Sequence, residues 1–461
     1  MDSEQARKKT WVKPSIKTHK AGYLNKFGSS SQHGIIDSID NVSISSLVAQ
    51  YGSPLFVVSE DTLRKHFQRI HKAFSSRYPR VIFGWSYKTN YLGAVCNTLH
   101  QEGAWAEVVS HFEYEKALSA GVPGEKIIFN GPHKTREALT LAIANNSHIH
   151  IDHLDELYLL EEVANETNRS VNVGIRLNFD TGFTEPWNRF GFNLESGQAM
   201  DAAWRIKASE KLNLTALHCH IGTFILEPRA YAEQVKTLVS FMDKVETDTD
   251  CIIEFIDIGG GFASNNALQG IYLPPEQVVP SIEQYAEAIC DTLLSLTHNR
   301  EKRGYNRPTL VLETGRAIVD ESESLIATVV ANKRLPDGRR AIVIDAGVNI
   351  LFTAFWYNHR IIPTRVLEGV AEETVIYGPL CMNIDVIRQS IILPPLNVGD
   401  TLLITPVGAY NNTQWMQFIE YRPNVVMVHS EEKTSVIRAK EDLDYVTQLE
   451  SIPAHLEKTG L

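Results

Sequence analysis

A lysine closes the run Val81-Ile82-Phe83-Gly84-Trp85-Ser86-Tyr87-Lys88, and Thr89-Asn90 follow. Burial at the end of a mostly apolar strand is expected to push the Lys88 amine toward its neutral, nucleophilic form. Such an amine condenses with aldehydes. Other chemically capable residues recur downstream, each closing an apolar stretch. They are Glu107, the run His218-Cys219-His220-Ile221-Gly222-Thr223, the run Asp257-Ile258-Gly259-Gly260-Gly261-Phe262, and Glu313-Thr314-Gly315-Arg316. Three consecutive glycines let backbone N–H groups cradle a phosphate, or simply make a tight turn. Arg316 has the forked donors that suit the same dianion, or a surface ion pair. His218 and His220 fall on one face of a strand, which is also metal-ligand geometry. No third ligand stands at a recognisable spacing, so no metal is expected. An imidazole stacked on a flat cofactor ring uses His220 better. Glu313, set beside a pyridine nitrogen, would keep that nitrogen protonated and the ring a strong electron sink; its alternative is a plain salt bridge.

These residues need a scaffold that presents strand ends to one place. Between about 55 and 315 short Val- and Ile-rich runs alternate with helix-like stretches. The runs cover 81–88, 105–109, 126–130, 148–152, 171–178, 214–222, 255–259 and 309–313. Helices are expected over 113–120, 134–145 and 155–167. Near-continuous apolar strands are covered on both faces. Eight of them with helices between, over this length, match an α/β chain folded as a (β/α)8 TIM-type barrel, whose chemistry lies at the C-terminal strand ends. A doubly wound sheet is the alternative. After Arg316 the long helices disappear. Strand-like runs at 325–330, 341–345, 374–377, 401–406 and 425–428, with turns at Pro336-Asp337-Gly338 and Val398-Gly399-Asp400, read as an all-β domain.

The chain has 461 residues, enough for two domains. Its net charge of -11 argues against nucleic acid and anionic membranes as partners. Five dispersed cysteines without a CxxC spacing suggest a reducing compartment. Neither a bilayer-spanning run nor a secretory h-region is legible, so a soluble, cytoplasmic protein is expected. Residues 1–32, polar and closing in Gly28-Ser29-Ser30-Ser31, read as a flexible extension.

Together the motifs resemble the fold-type III pyridoxal-phosphate decarboxylases, the group of the diaminopimelate, ornithine and arginine decarboxylases. The resemblance covers roughly residues 34 to 430. Trp85-Ser86-Tyr87-Lys88-Thr89-Asn90 is similar to the family's lysine motif, and His220-Ile221-Gly222-Thr223 to its His-x-Gly-Ser. Gly259-Gly260-Gly261-Phe262 is intact, and Glu313-Thr314-Gly315-Arg316 carries Thr where the family has Pro. Gly378-Pro379-Leu380-Cys381, with Asp385 after it, and Gly408-Ala409-Tyr410 complete the ordered set. The resemblance implies pyridoxal 5'-phosphate as cofactor, with Lys88, Cys381, His220 and Glu313 catalytic. It implies that Lys88, His220, Thr223, Gly259, Gly260, Gly261, Glu313, Arg316 and Tyr410 bind the cofactor. It further implies a homodimer in which Cys381 reaches the partner's barrel. The barrel would span 57–316, and segment 34–56 would complete a β-domain made with 317–461. Glu107 and Glu113 match acidic positions that line the site.

Two departures bear on substrate. Met382 follows the cysteine where lysine- and ornithine-type enzymes carry an acid. Thr353-Ala354 stand where diaminopimelate decarboxylases carry Arg-Pro after the Asp345-Ala346-Gly347 strand. Loss of both charge partners is expected to disfavour diaminopimelate. It points to an amino acid or conjugate with a bulkier, less charged tail, as in siderophore or other secondary-metabolite assembly. Thr353, Met382, Asp385 and Arg189 are the expected substrate contacts. The alternatives are diaminopimelate decarboxylase in lysine biosynthesis, an amino-acid racemase, or an inactive partner-binding homologue.

Overall fold

The computed structural model describes residues 34–456 with the exception of 272. The expected extension over 1–32 lies outside the described residues. Eight parallel strands form the first body: β1 Val81–Ser86, β2 Trp105–Val108, β3 Ile127–Phe129, β4 His148–Ile151, β5 Val171–Asn178, β6 Leu212–Cys219, β7 Phe255–Asp257 and β8 Thr309–Leu312. Each pairs with the next, β8 pairs back to β1, and β5 pairs directly with β6. The sheet therefore closes into a barrel, which excludes the doubly wound alternative.

An outer layer of helices covers the strands, including Glu60–Ser75, His111–Ser119, Arg136–Ala144, Leu154–Glu166, Pro228–Thr249 and Ile282–Thr297. Their starts are written locally. Ser59, Ser110 and Thr135 accept the N–H groups of Thr62, Glu113 and Ala138, and Ser281 with Gln284 forms a full capping box. Each such cap contributes about 1 kcal/mol. Strand side chains such as Ile127, Phe129, Ile149 and Ile151 are fully buried, stabilising by roughly 1.5–3 kcal/mol each.

The barrel lumen departs from the usual apolar filling. Glu107, His150, Arg176, His218 and Asp257 are all buried strand residues. Gly174 on β5 makes room for them: a Cβ there would fall 2.5 Å from the His150 ring.

The second body is sheet. Its strand order is Val386–Leu393, Glu372–Tyr377, Arg340–Ile344, Glu323–Arg334, Leu55–Ser59, Val425–His429 and Lys433–Arg438. Thr401–Thr405 also pairs with Glu323–Arg334 and with Arg360–Pro363. Leu55–Ser59 lies before the barrel in sequence yet pairs inside this sheet, Leu55 opposite Ile326 and Val58 opposite Glu323. The N-terminal segment thus completes the β-domain. Ser59 ends that strand and caps the first barrel helix, so the chain changes body within one residue. Among the described residues no helix is long and apolar enough to cross a membrane.

Candidate active site

A cavity of about 310 Å³ opens at the C-terminal end of the barrel. It gathers Lys88, Glu107, His218, His220, Thr223, Gly261, Glu313, Arg316 and Tyr410 from five strand ends and the β-domain. The barrel rule that polar residues at strand ends converge is obeyed.

Lys88 sits one turn beyond its strand. β1 stops at Ser86, and Tyr87–Thr89 forms a 3₁₀ turn. The turn is tied to the β-domain: Thr413 donates to the carbonyl of Lys88 at 2.8 Å, and the Tyr410 N–H to that of Thr89 at 2.8 Å. Lys88 Nζ donates to both oxygens of Glu107, at 2.8 and 3.1 Å. Glu107 also accepts from Ser86 Oγ at 2.5 Å and Asn130 Nδ2 at 3.1 Å.

This pair corrects the expectation of a neutral lysine. Burial does act to lower the Lys88 pKa. The charges of Glu107 and Glu313 outweigh it and hold the ammonium above its ordinary value. Without its coenzyme the site carries a cationic lysine.

Glu313 is buried at the end of β8 and accepts from Asn130, which bridges it to Glu107. His220 lies just past β6. Burial, then the Arg176 charge, pushes its imidazole down to about 3, so it is neutral. Its Nδ1 accepts the Gly260 N–H at 2.9 Å, and Trp187 stands edge-on to it at 5.2 Å. His218, at the end of β6, lines the same cavity and lies 3.4 Å from Glu313.

The glycine turn and Arg316 fit a phosphate dianion. A Cβ on Gly260 would come 2.3 Å from the Glu313 carbonyl, and one on Gly261 2.3 Å from that of Gly222. Gly259 and Gly261 have φ of +68° and +91°, open to glycine at little cost. Arg316 is buried, and its Nε and Nη1 have no hydrogen-bond partner. The Asp320 carboxylate is 3.8 Å away, and the guanidinium lies 5.0 Å from the Tyr410 ring. Buried donors left open in this way call for an anion.

The remaining expected residues lie elsewhere in the protomer. Cys381 is exposed on the β-domain, and Met382 packs half-buried against the core. Asp385 accepts the N–H groups of Val348 and Leu380, both at 2.8 Å. Thr353 is buried and shares bonds with Asn411 (2.9 Å) and His359 (2.9 Å). Arg189 is exposed, its guanidinium over the Phe190 ring at 5.2 Å. None of these five is among the lining residues of the cavity. Glu113 stands back from it too, accepting the Val109 N–H at 2.8 Å, with burial pushing its carboxyl up to about 7.

Sequence reasoning missed Asn130, Arg176, Trp187 and Phe190, all lining residues. Asn130 ends the third strand run, so the strand-end rule applied evenly would have found it. Arg176 lies inside β5 and carries no such signal.

Residues 60–320 match the family model described as "Pyridoxal-dependent decarboxylase, pyridoxal binding domain". The chain is 31% identical to a diaminopimelate decarboxylase of Methanocaldococcus jannaschii, covering 91% of this chain and 95% of that one. It is 26% identical to the diaminopimelate decarboxylase of Bacillus subtilis, covering 92% and 97%. A crystal structure of diaminopimelate decarboxylase from M. jannaschii superposes with a TM-score of 0.83 at 29% identity, covering 92% of this chain and 98% of that one. The same enzyme in co-complex with L-lysine gives a TM-score of 0.82 at 29% identity, covering 91% and 96%.

Proposed function

Because the chain belongs to the pyridoxal-dependent decarboxylases, we propose that its cavity decarboxylates diaminopimelate at one Cα, releasing CO2 and lysine. That the protein is a pyridoxal-phosphate enzyme acting on an amino acid follows from the family; the substrate is the step beyond it. The observation that carries it is full-length similarity to several diaminopimelate decarboxylases, each matched over most of its own length. That similarity weighs against the expectation drawn from Thr353-Ala354 and Met382 alone.

Pyridoxal phosphate, when bound, takes up the electron pair left as the Cα–carboxylate bond breaks. The residues of this chain do the rest. Lys88 would supply the amine that holds the coenzyme's aldehyde carbon, and Glu107, which pairs with that amine, would keep it at the cavity. Arg316, the Gly259–Gly261 turn, Thr223 and the Tyr410 side chain hold the phosphate. Glu313 holds a proton at the ring nitrogen. His220, neutral and fixed by the Gly260 N–H, offers a flat face to the ring. Lys88, or Cys381 of a second subunit, returns a proton to Cα. Cys381 could fill the last role only in a homodimer, because it does not line the cavity of its own protomer. Met382 and Arg189 are then candidates for contact with substrate across that interface, whereas Thr353 and Asp385 are buried and bonded within the β-domain.

One observation favours a second reading. Thr353 is enclosed by Asn411 and His359, and Met382 carries no charge. A substrate with an uncharged or conjugated tail would suit Met382 and would need no charge partner at Thr353. A single panel separates the readings: diaminopimelate, lysine, ornithine and diamino acids acylated on the side-chain amine are each incubated with holoenzyme while CO2 and product mass are followed. Diaminopimelate as best substrate supports the first reading. A conjugate as best substrate replaces it. Racemisation without CO2 would overturn both.

A further inference from the structure

Beneath the site the lumen holds titratable side chains that the scheme above leaves unused. His150 on β4, His218 on β6 and Asp257 on β7 are buried. One ligand-capable atom from each, together with a Glu313 oxygen, all lie within 4.8 Å of one another. The two imidazoles stack at 5.0 Å. His150 Nδ1 is 3.8 Å from Asp257 Oδ2, and His218 Nε2 is 3.4 Å from Glu313 Oε1. Asp257 Oδ1 accepts the Gly259 N–H at 2.9 Å. Its Oδ2 has no hydrogen-bond partner, nor do His150 Nδ1 or either nitrogen of His218.

The charges around this cluster decide its protonation. Lys88 is paired with Glu107 at 2.8 Å, Lys134 with Glu156 at 2.6 Å, and Arg176 faces Asp152 at 3.8 Å. Every cation near the cluster thus has a carboxylate of its own. Neither Asp257 nor Glu313 has a lysine or arginine within ion-pair distance among the described residues, although Glu313 still interacts with the Lys88 charge. Two buried carboxylates at such a distance do not both ionise. Burial, then the Glu313 charge, pushes Asp257 well above its ordinary value. Burial pushes both His150 and His218 well below theirs, so neither takes the proton.

We propose that Asp257 carries a proton on Oδ2 at neutral pH and acts as a positioning residue, a neutral acid that leaves the charge of the Asp257–Glu313 pair on Glu313. The negative charge is then concentrated on the carboxylate that faces the coenzyme's ring nitrogen. This role rests on the reading of Glu313 given above; the protonation itself does not depend on the substrate.

The test is infrared spectroscopy of the coenzyme-free protein at pH 7. Wild type should show the carbonyl stretch of a protonated acid that shifts when aspartate is labelled with 13C at its side-chain carboxyl. That band should vanish in Asp257→Asn. Acid bands from Glu323, pushed by burial up to about 8, and from Glu113 do not move with labelled aspartate. In the holoenzyme Asp257→Asn, which keeps a neutral group and an acceptor for Gly259, should preserve the absorbance maximum of the coenzyme and its pH dependence. Loss of a carboxylate stretch in place of an acid one would overturn the proposal. So would a labelled wild type with no aspartic-acid band, a result that does not need the variant to fold. A stoichiometric metal ion lost with Asp257→Asn would make the cluster a metal site instead.

Discussion

Two lysines of this barrel sit beside buried glutamates, and their differences separate structure from chemistry. Lys134 is fully enclosed. Its Nζ donates to the carbonyls of Gly131 and His150 at 2.8 and 2.9 Å and to Glu156 at 2.6 Å. Three donors meet three acceptors on three residues, and Glu156 accepts the Asp152 N–H with its other oxygen. Lys88 directs Nζ to two oxygens of one residue and borders an open cavity. A lysine that ties strands together has every proton placed. A lysine that must exchange partners keeps its bonds on a single carboxylate, from which it can turn away.

The comparison breaks first at Lys88. Lys88→Ala should leave a folded protein without the visible band of bound coenzyme and without CO2 release; a variant that kept both would reverse the assignment. At Lys134 the loss should fall on stability. Lys134→Met strands Glu156 as a buried unpaired charge and should cost about 3–5 kcal/mol in urea unfolding of the coenzyme-free protein. Adding Glu156→Leu should recover most of it, which Lys88→Ala would not require. Arg316→Met removes a charged donor at the phosphate cradle and should weaken coenzyme binding by about 2 kcal/mol, roughly thirtyfold in Kd, with little change in the unfolding of the free protein.

Acid supplies a gentler probe. Burial holds His220 near 3 and His359 near 4, both below the ordinary imidazole value of about 6.5. Their neutral forms favour the fold. That stability is fully present above about pH 6.5 and is lost as pH falls toward those values, where the imidazoles must charge. The urea midpoint should therefore fall from pH 6.5 downward, and His359→Gln should flatten part of the slope. Smallest of all, Thr135→Ala removes a helix cap on the outer layer and should cost about 1 kcal/mol without touching coenzyme binding.

The eight barrel strands were legible because each is an apolar run closed by a polar residue, and burial on both faces imposes that pattern. Lys88, His220, Glu313, Arg316 and the glycine turn were legible for the same reason, since strand ends meet in one place. The protonation state of Lys88 was not. It depends on Glu107 and Glu313, carried by other strands, and only their distances decide whether charge or burial prevails. In the β-domain Arg360–Pro363, Val386–Leu393 and Lys433–Arg438 escaped notice. Val386–Leu393 carries Arg388-Gln389-Ser390 at its centre, which suits a half-exposed strand at the edge of its sheet and hides the apolar signal. The polar lumen was equally hidden, because His150 and Arg176 lie within strands and read there as isolated polar residues.

The turn bearing Lys88 is fastened at several points to segments that belong to the other body. Asn90 donates to Glu323 and to the Gly408 carbonyl, both at 3.1 Å, and Asn412 donates to Glu323 at 2.6 Å. The amine is thereby mechanically slaved to the seam between barrel and sheet. Any rocking across that seam moves the reactive nitrogen, and a barrel cut free of its neighbour would lose the alignment of its own lysine.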